Sequence, residues 1–524
     1  MAYLRPGVYV QETLNPVQPT VGPNSDSVAA FVGPTDRGPT VPTLVTSWSA
    51  YTTLYGTWNT ANSNDLPIAV YLFFANGGRQ AYIRRVVYSG DTVTPSNNAT
   101  TAAITLKDRT SGTALNTLTL NATNAGAWGN STSVIVTDSS VTGYFNLFVA
   151  YNMPATYNEA YIVERYTDIS MTATDARYAP TVINASSSYI FAADAGAAST
   201  GATRNPALST VTNNVPTPTA LAGGANGLLT LTTAQYSTAL SSFDTIQQSL
   251  ILNLPGIIDS TNINNALTYA SGRGDVFVVI DGDTSSSAAT AISTASAYGT
   301  SSTGSYGAVY YPRISISDPT STVGSASNTV KTVAPGGAVI GVYASTDASR
   351  GVFKAPAGLQ ARLANVVSVP SLSNSDLDSL NSAGVPVNAI KYVPGTGIVV
   401  MGSRTLKQGY VDKYVPVRRT LIYLEKALKD LSQFAIFEPN DPALWRRINA
   451  TFSTFLTQFW SQGGLVGATP AQAYFVKCDA TNNVQASIDN GELHIDVGVA
   501  LQRPAEFVII KIGQFNGGIT VTVA

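Results

Sequence analysis

One run of this sequence, Val276 to Asp281, is apolar on both faces and restricts the fold more than any other feature. A strand of this kind has to be covered on both sides, which is typical of the centre of a parallel sheet packed between helices. Similar apolar runs lie at residues 249–254, 308–311 and 338–343. Helical spacing of apolar residues is found at residues 232–243 and 262–273. We therefore expect an α/β domain in this part of the chain.

The same type of unit begins near the N-terminus. Residues 27–33 form an apolar run that ends at Gly-Pro, and residues 81–87 form a second run. Between them, residues 48–58 and 66–76 carry aromatic and aliphatic side chains at helical spacing. The order of strand, helix, helix and strand predicts that residues 27–90 and 228–395 together build one α/β domain.

The composition changes in the segment between these two parts. Residues 91–227 are rich in Thr, Ser, Asn and Ala, and they contain short alternating runs at residues 103–106, 118–120, 134–136 and 144–149. This pattern predicts an inserted β-sandwich or barrel domain. We expect the insertion to face outward.

The last quarter of the chain is rich in charge. Residues 396–524 hold more than a third of all charged residues. We expect an α+β domain over residues 396–516, with helices at 419–434 and from Pro442 to Gly463, and strands at 473–478, 493–501 and 507–512. The remaining pieces, residues 1–26 and 517–524, are strand-prone segments isolated by Pro, Gly and Asn. They are predicted to be extended arms.

The composition argues against several classes of function. The net charge is −2, so nothing points to direct contact with nucleic acid. A single Cys excludes an intrachain disulfide, and a single His excludes metal sites that need two imidazoles. The sequence has no signal-peptide pattern and no apolar run of about 18 residues, so we expect a soluble chain made in a reducing compartment, without membrane insertion. Charged residues make up only 11%, which is typical either of a protein hidden in an assembly or of a secreted β-rich protein.

Motifs of catalysis are missing from the sequence. It contains no P-loop, no dinucleotide fingerprint and no nucleophile elbow. His494 alternates with apolar neighbours in an expected strand, so a position on a sheet face is favoured over catalysis. Cys478 ends an apolar run, which favours a buried thiol. We predict that the chain is not an enzyme and has no cofactor.

Two further groups of residues allow a structural and a functional interpretation. Asp281 and Asp283 follow a predicted parallel strand, where active sites of α/β proteins lie, but a simple Asp-Gly-Asp turn is favoured. The pairs Arg418–Arg419 and Arg446–Arg447 are expected on solvated helix faces rather than in docking patches.

A series of short motifs runs along the chain in a defined order. They are residues 5–12 (RPGVYVQE), 31–39 (FVGPTDRGP), 128–130 (WGN), 221–227 (LAGGANG), 341–347 (GVYASTD), 350–357 (RGVFKAPA), 415–419 (VPVRR), 437–441 (FEPND) and 504–507 (PAEF), with Trp445, Asp479, Asn482, Asn483 and Gly491. In this order they resemble the contractile tail sheath proteins of tailed bacteriophages, which are related to the sheaths of headless contractile injection systems. Phe353 stands where the family usually has Trp.

The resemblance implies both a fold and a function. The fold is a central domain of subtilisin-like topology without the protease, and the only His lies outside that domain. The function is that of a homo-oligomeric helical sheath, built of stacked hexameric rings around an inner tail tube protein and bounded by baseplate and tail terminator proteins. Such a sheath belongs to the virion tail and is assembled in the bacterial host cytoplasm. It assembles extended and contracts on a baseplate signal, which drives the tube through the host envelope.

Subunits that slide past one another and stay attached need flexible tethers. The strand-prone arm residues are Gly7, Val8, Tyr9, Val10, Gln11, Ile519, Val521 and Val523. Because an isolated strand must pair its backbone groups, we predict that both arms add strands to the 396–524 domains of adjacent subunits. Arms that fold back on their own sheet are the alternative. Lys426 and Lys429, on the first helix of that domain, are candidates for weak, screened contacts with the tube.

Other functions stay open at this point. A headless injection system of the pyocin or type VI kind shares the resemblance, although the chain's size and its inserted middle favour a phage. A secreted β-rich binding protein would instead be a stable monomer with affinity for a ligand. A hydrolase on the α/β domain lacks the necessary acid–base groups.

Overall fold

The computed structural model of this chain describes residues 28–58, 65–92, 94–154, 157–212, 215–228, 231–285, 287–299, 302–319, 330–407 and 411–506, with the backbone of 515–516 and 519–520. The chain divides into two compact units. We call Ser27–Ser345 with Pro356–Lys413 the central unit, and Thr346–Ala355 with Tyr414–Ala524 the C-terminal unit. Both units mix helices and strands, which confirms the coarse part of the expected α+β multidomain class, a multidomain fold of mixed α and β structure. The domain boundaries drawn from composition stay predictions.

The α-helices of the described residues are α1 (Trp48–Tyr55), α2 (Asp65–Ala75), α3 (Ala179–Ser186), α4 (Thr233–Ser241), α5 (Ser260–Arg273), α6 (Ala288–Ala295), α7 (Gly336–Arg350), α8 (Asn374–Ser382), α9 (Val415–Leu431), α10 (Pro442–Ser461), α11 (Pro470–Ala473) and α12 (Gln485–Asp489). The β-strands are β1 (Val28–Gly33), β2 (Thr43–Val45), β3 (Ala81–Arg85), β4 (Ala103–Lys107), β5 (Asn116–Ala122), β6 (Thr132–Asp138), β7 (Phe145–Tyr151), β8 (Ile162–Ile169), β9 (Ile190–Asp194), β10 (Val211–Thr212), β11 (Val215–Pro216), β12 (Thr219–Ala220), β13 (Leu250–Asn253), β14 (Val276–Asp281), β15 (Gly307–Tyr311), β16 (Ile314–Ser317), β17 (Val330–Val333), β18 (Val387–Val393), β19 (Gly397–Val400), β20 (Tyr474–Lys477), β21 (Asp496–Val499), β22 (Phe515–Asn516) and β23 (Ile519–Thr520).

An eight-stranded sheet organises the central unit, in the order β19-β18-β15-β14-β13-β1-β3-β2. The six inner strands run parallel, with Val28 opposite Leu250 and Leu250 opposite Val276, and β2 and β19 close the edges antiparallel. Every residue of β14 is buried. The parallel sheet expected from the doubly apolar runs is therefore confirmed, because such strands are stable only where helices cover both faces.

The expectation of a strand at residues 338–343 was wrong, because these residues lie in α7. A short apolar run does not distinguish a buried strand from a buried helix. Here glycines decide the outcome. A Cβ on Gly337 would lie 2.1 Å from the backbone oxygen of Ala69, and one on Gly341 would lie 2.7 Å from that of Phe73. The two glycines let α7 pack directly on the backbone of α2, with the run between them buried.

The segment between β3 and α4 forms two smaller sheets, β4-β5-β9 and β12-β6-β7-β8. They share a core that includes Trp128, Phe145 and Leu147. The four short strands expected there are confirmed as β4 to β7. The description of this segment as an outward-facing barrel or sandwich stays a prediction.

Arg37 connects this core to the loop after β1. Its guanidinium carbon lies 4.7 Å, 5.0 Å and 5.9 Å from the ring centres of Tyr189, Tyr151 and Trp128. Its Nη2 donates a hydrogen bond to the backbone oxygen of Thr53 at 3.1 Å. Because the side chain is buried among rings, these cation–π contacts are among the stronger ones and hold the base of the small sheets in place.

In the C-terminal unit, α9 and α10 pack on the hairpin of β20 and β21. The rings of Tyr423, Phe455 and Phe459 form the centre of this core, with Tyr423 and Phe459 at 5.6 Å. Asp441 caps α10, because its carboxylate accepts a hydrogen bond from Leu444 N at 2.8 Å. The predicted start of this helix, a cap followed by proline, is confirmed.

The expected strands of this unit are shorter than predicted. Residues 474–477 and 496–499 form β20 and β21, and Ala473 closes the short helix α11. The strand expected at residues 507–512 lies outside the described residues.

Candidate assembly surface

Helix α9 carries both lysines that the sequence assigns to tube contact. Its buried face includes Tyr423, Leu424 and Ala427, which are spaced as one side of a helix. Lys426 Nζ lies 2.6 Å from the carboxylate of Asp430, and its side chain is only 22% exposed. Lys429 is exposed. Of the two candidates, Lys429 therefore presents its ammonium group to solvent more openly.

The expectation that Arg418 and Arg419 lie on a solvated face was wrong, because both are buried. Arg419 forms a two-pronged ion pair with Asp347, in which Nη1 donates to Oδ1 at 3.0 Å and Nη2 donates to Oδ2. The two side chains are 5% and 1% exposed. Asp347 lies 72 residues earlier in the chain, so no local sequence pattern indicates this pairing. Arg446 and Arg447 are exposed as expected, and Arg447 lies 4.2 Å from the ring centre of Phe434.

Among the described residues, the hairpin of β20 and β21 consists of two strands, paired antiparallel from Tyr474–Val499 to Lys477–Asp496. Within the described part of the chain, neither outer edge pairs with a further strand. On one face, Val476 and Val497 pack on the helices. Open edges of this kind are sites where another strand can add by backbone hydrogen bonds.

Most of the arm residues predicted to provide such strands belong to those parts of the two ends of the sequence that the structure does not describe. Gly7, Val8, Tyr9, Val10, Gln11, Val521 and Val523 lie outside the described residues. For Ile519 only the backbone is described, and it pairs with Asn516 between β22 and β23. The assignment of these residues to inter-subunit contacts stays a prediction.

A loop between α9 and α10 holds two apolar side chains in solvent. Phe437 is fully exposed, and Ile436 is 58% exposed. Phe437 also has a φ of +65°, which a residue with a Cβ rarely adopts. In the sequence this loop stands out only as part of the motif at residues 437–441, although a phenylalanine between two predicted helices is itself unusual for a loop.

The two remaining residues with reactive groups sit in structural roles. Cys478 is buried against α10, and burial raises the pKa of its thiol, as predicted for a core cysteine. His494 precedes β21 instead of lying in a strand, because the backbone pairing with β20 begins only at Asp496. Its Nε2 lies 3.2 Å from the carboxylate of Glu492.

The space at the carboxyl ends of β13 and β14 is filled by the chain itself. Asp281 is fully buried, and its carboxylate accepts hydrogen bonds from Gly336 N at 2.6 Å and from Gly256 N at 3.0 Å. Burial raises the pKa of this carboxyl, against the opposing effect of these hydrogen bonds. In many α/β proteins a ligand occupies this position, whereas here the start of α7 does. Asp283 accepts from Ser285 N at 2.6 Å, as the favoured turn interpretation predicts, whereas Asp281 binds backbone groups of distant segments instead.

A search of the described ranges for three or more neighbouring His, Cys, Asp or Glu side chains able to hold a metal ion finds none. In the same ranges, no helix is both long and apolar enough to cross a membrane.

Two family profiles match the chain. The profile described as phage tail sheath protein central domain matches residues 230–406, and the one described as phage tail sheath C-terminal domain matches residues 412–515. Together they span more than half of the chain. No curated protein sequence matches it.

Solved structures are similar over nearly the whole length. The helical sheath of the anti-feeding prophage in its contracted state is 21% identical, with a TM-score of 0.57 over 98% of this chain and 100% of that chain. The sheath complex of an extracellular contractile injection system, PVC, in its contracted state is 21% identical, with a TM-score of 0.55 over 99% of both chains. A sheath tail protein from Listeria innocua is 11% identical, with a TM-score of 0.59 over 91% of this chain and 95% of that chain. At these identities the matches establish a shared fold.

Proposed function

This chain belongs to the family of contractile tail sheath proteins, and we propose that it polymerises into a helical sheath around an inner tube and drives that tube forward by contracting. The observation that carries the proposal is the two-stranded hairpin of β20 and β21. A subunit whose described residues leave these strand edges unpaired, and whose terminal segments are strand-prone, has the parts needed to link copies of itself by strand addition.

The linkage follows from the backbone chemistry of the two partners. Side chains that favour strands are frequent in residues 7–11 and 519–523. Pro, Gly and Asn residues separate both segments from the folded units. Each edge of the hairpin offers N–H and C=O groups to an incoming strand. We propose that the arms of neighbouring subunits fill these edges, so that the C-terminal units form a continuous mesh that survives large movements.

Contraction then needs only two arrays of different free energy. Moving a two-state equilibrium from 1:99 to 99:1 requires about 5.5 kcal/mol. When many linked subunits switch together, a small difference in buried surface for each subunit therefore produces a large directed force. Such a mechanism requires no nucleotide, because the energy is stored when the sheath assembles on the tube in its extended form.

The tube-facing surface is proposed to include Lys426 and Lys429 on α9. Exposed ion pairs contribute about 0–1 kcal/mol each and are weakened by salt, which suits a contact that has to release. Since Lys426 is engaged with Asp430, Lys429 is the stronger candidate. Charge reversal at Lys429 should reduce extended assembly on the tube, and the same reversal at Arg446 serves as an exposed control.

We propose the tail of a phage as the setting, in which the sheath also meets baseplate and terminator proteins. The headless alternative is supported by the similarity to the sheath of an extracellular contractile injection system. Electron microscopy of particles from the producing cell separates the two settings. DNA-filled heads on the tails assign a phage, and tails of uniform length without heads assign an injection system.

The function itself is tested by negative-stain microscopy of the purified chain, alone and with its tube protein. Hollow, striated tubes of one diameter are expected. A chain with residues 1–20 deleted, or with Val8→Pro and Val10→Pro, should stay soluble and fail to polymerise, because proline removes the backbone donors of the arm. Val17→Pro, in a segment already broken by Pro16 and Pro19, is the matched control. Normal sheaths from the arm variants would refute linkage by strand addition.

A further inference from the structure

We propose that the loop at Phe437 is a docking knob that inserts against the outer face of the β20–β21 hairpin in a second copy of this chain. The proposal rests on the proposed function, since it concerns how subunits of the sheath recognise one another, and it adds a side-chain contact to the strand addition described above.

The knob combines an exposed apolar side chain with a strained backbone, and both are unfavourable in the isolated chain. Phe437 is fully exposed, with its neighbour Ile436 also exposed. In addition, its backbone lies in the left-handed region at a φ of +65°, where a glycine or asparagine would be less strained. Strain and apolar exposure at one position persist where a surrounding structure or a partner requires them.

The loop is held by its neighbours, so Phe437 cannot simply turn inward. Asn440 accepts a hydrogen bond from Trp445 Nε1 at 2.7 Å and donates one to the backbone oxygen of Glu492 at 2.9 Å. On the other side, Glu438 N donates to the oxygen of Ala435 at 3.3 Å. These contacts fix both ends of the knob and leave its aromatic ring directed away from the C-terminal unit.

The outer face of the hairpin offers a complementary surface. Phe475 is 59% exposed and lies across its strand partner Gly498, where an added Cβ would be only 2.1 Å from the ring. The ring therefore lies over Gly498, and its exposed face forms the apolar surface that we call the platform. Lys477 is exposed on the same face, because residues two apart in a strand point to the same side.

The second copy is the chosen partner because the two surfaces match in both polarity and charge. The knob presents an aromatic ring followed by the exposed carboxylate of Glu438, and the platform presents an aromatic ring followed by the ammonium of Lys477. Two rings at such a contact can adopt an edge-to-face arrangement. Full exposure of Phe437 shows that knob and platform do not meet within one chain. A knob on one copy and a platform on the next form a heterologous contact, which repeats into a ring or an open helix.

The first test replaces Phe437 by glycine. Phe437→Gly removes the ring and suits the positive φ, so the melting temperature of the unassembled chain should stay the same or rise. The concentration needed for sheath assembly should increase about tenfold or more, which is the effect expected from loss of an aromatic hot spot. Assembly at the wild-type concentration would overturn the proposal.

The second test exchanges the charges. Glu438→Lys and Lys477→Glu should each raise the assembly concentration, and the double variant should return it to within about threefold of the wild type. Asp489→Lys, at another exposed acid of the same unit, is the control and should have little effect. If the two increases in assembly concentration simply added in the double variant, the proposed contact between Glu438 and Lys477 would be refuted. A wild-type chain that forms no sheath with its tube refutes the proposed function, whereas normal sheaths from Phe437→Gly refute the knob alone.

Discussion

Removal of one partner from the buried ion pair between Asp347 and Arg419 should strongly destabilise the C-terminal unit. Asp347→Asn keeps the size of the side chain and removes its charge, which leaves the guanidinium of Arg419 buried without its counter-ion. Breaking a buried pair from one side costs about 3–5 kcal/mol. We expect the loss in free energy of unfolding to lie near the upper end of that range, because the two side chains are only 5% and 1% exposed and the contact is two-pronged.

Hydrogen exchange followed by mass spectrometry measures this effect in the full chain, since peptides from α9 report on the C-terminal unit alone. A loss of about 3–5 kcal/mol corresponds to an increase of about 150-fold to 4000-fold in the exchange of protected amides. Asp430→Asn is the matched control. It breaks the pair with Lys426, whose side chains are 46% and 22% exposed, and such helix-surface pairs contribute about 0.3–0.5 kcal/mol.

The double variant Asp347→Leu with Arg419→Met provides the decisive comparison. Replacement of a whole buried pair by apolar residues of similar size is often neutral. We expect this chain to regain at least half of the protection lost in Asp347→Asn. If Asp347→Asn and Asp430→Asn differed by less than about 1 kcal/mol, the argument that burial makes the pair important would be refuted.

Three further perturbations test the packing of the central unit. Gly337→Ala should destabilise this unit by about 1–3 kcal/mol through overpacking. Gly272→Ala has open space around the added Cβ, so its free energy of unfolding should rise by up to about 1 kcal/mol. Urea unfolding measures both effects. Hydrogen bonds lower the pKa of Asp108 from 3.8 to about 2, and the bond from Ser199 has the largest effect. Since the folded pKa is depressed, its stabilisation is complete above the unfolded value and disappears as the pH falls through about 2. The urea midpoint of the wild type should therefore fall between pH 4 and pH 2 more steeply than that of Asp108→Asn. Arg37→Met should lower the melting temperature by the equivalent of about 2 kcal/mol, and Arg165→Met, at an exposed ring contact of 5.5 Å, should change it little.

The candidate assembly surface was predicted in part. The α9 lysines and the capped start of α10 follow from local spacing, and the structure places them on helices as expected. The arms also follow from sequence, although their contacts stay predictions. The knob at Phe437 did not follow, because an exposed phenylalanine is recognised only once its surroundings in space are known.

The sequence alone predicts those parts of the fold that depend on residues close together along the chain. Doubly apolar runs placed β1, β13 and β14 in a covered parallel sheet, and regular spacing with caps placed the helices, because periodicity and capping act within a few residues. Tertiary structure decided the rest. The run at 338–343 became helix because Gly337 and Gly341 meet the backbone of α2, and Arg419 became buried because a carboxylate 72 residues away neutralises it. Both outcomes depend on partners distant in the chain, whose approach is set by packing and charge and leaves no local pattern.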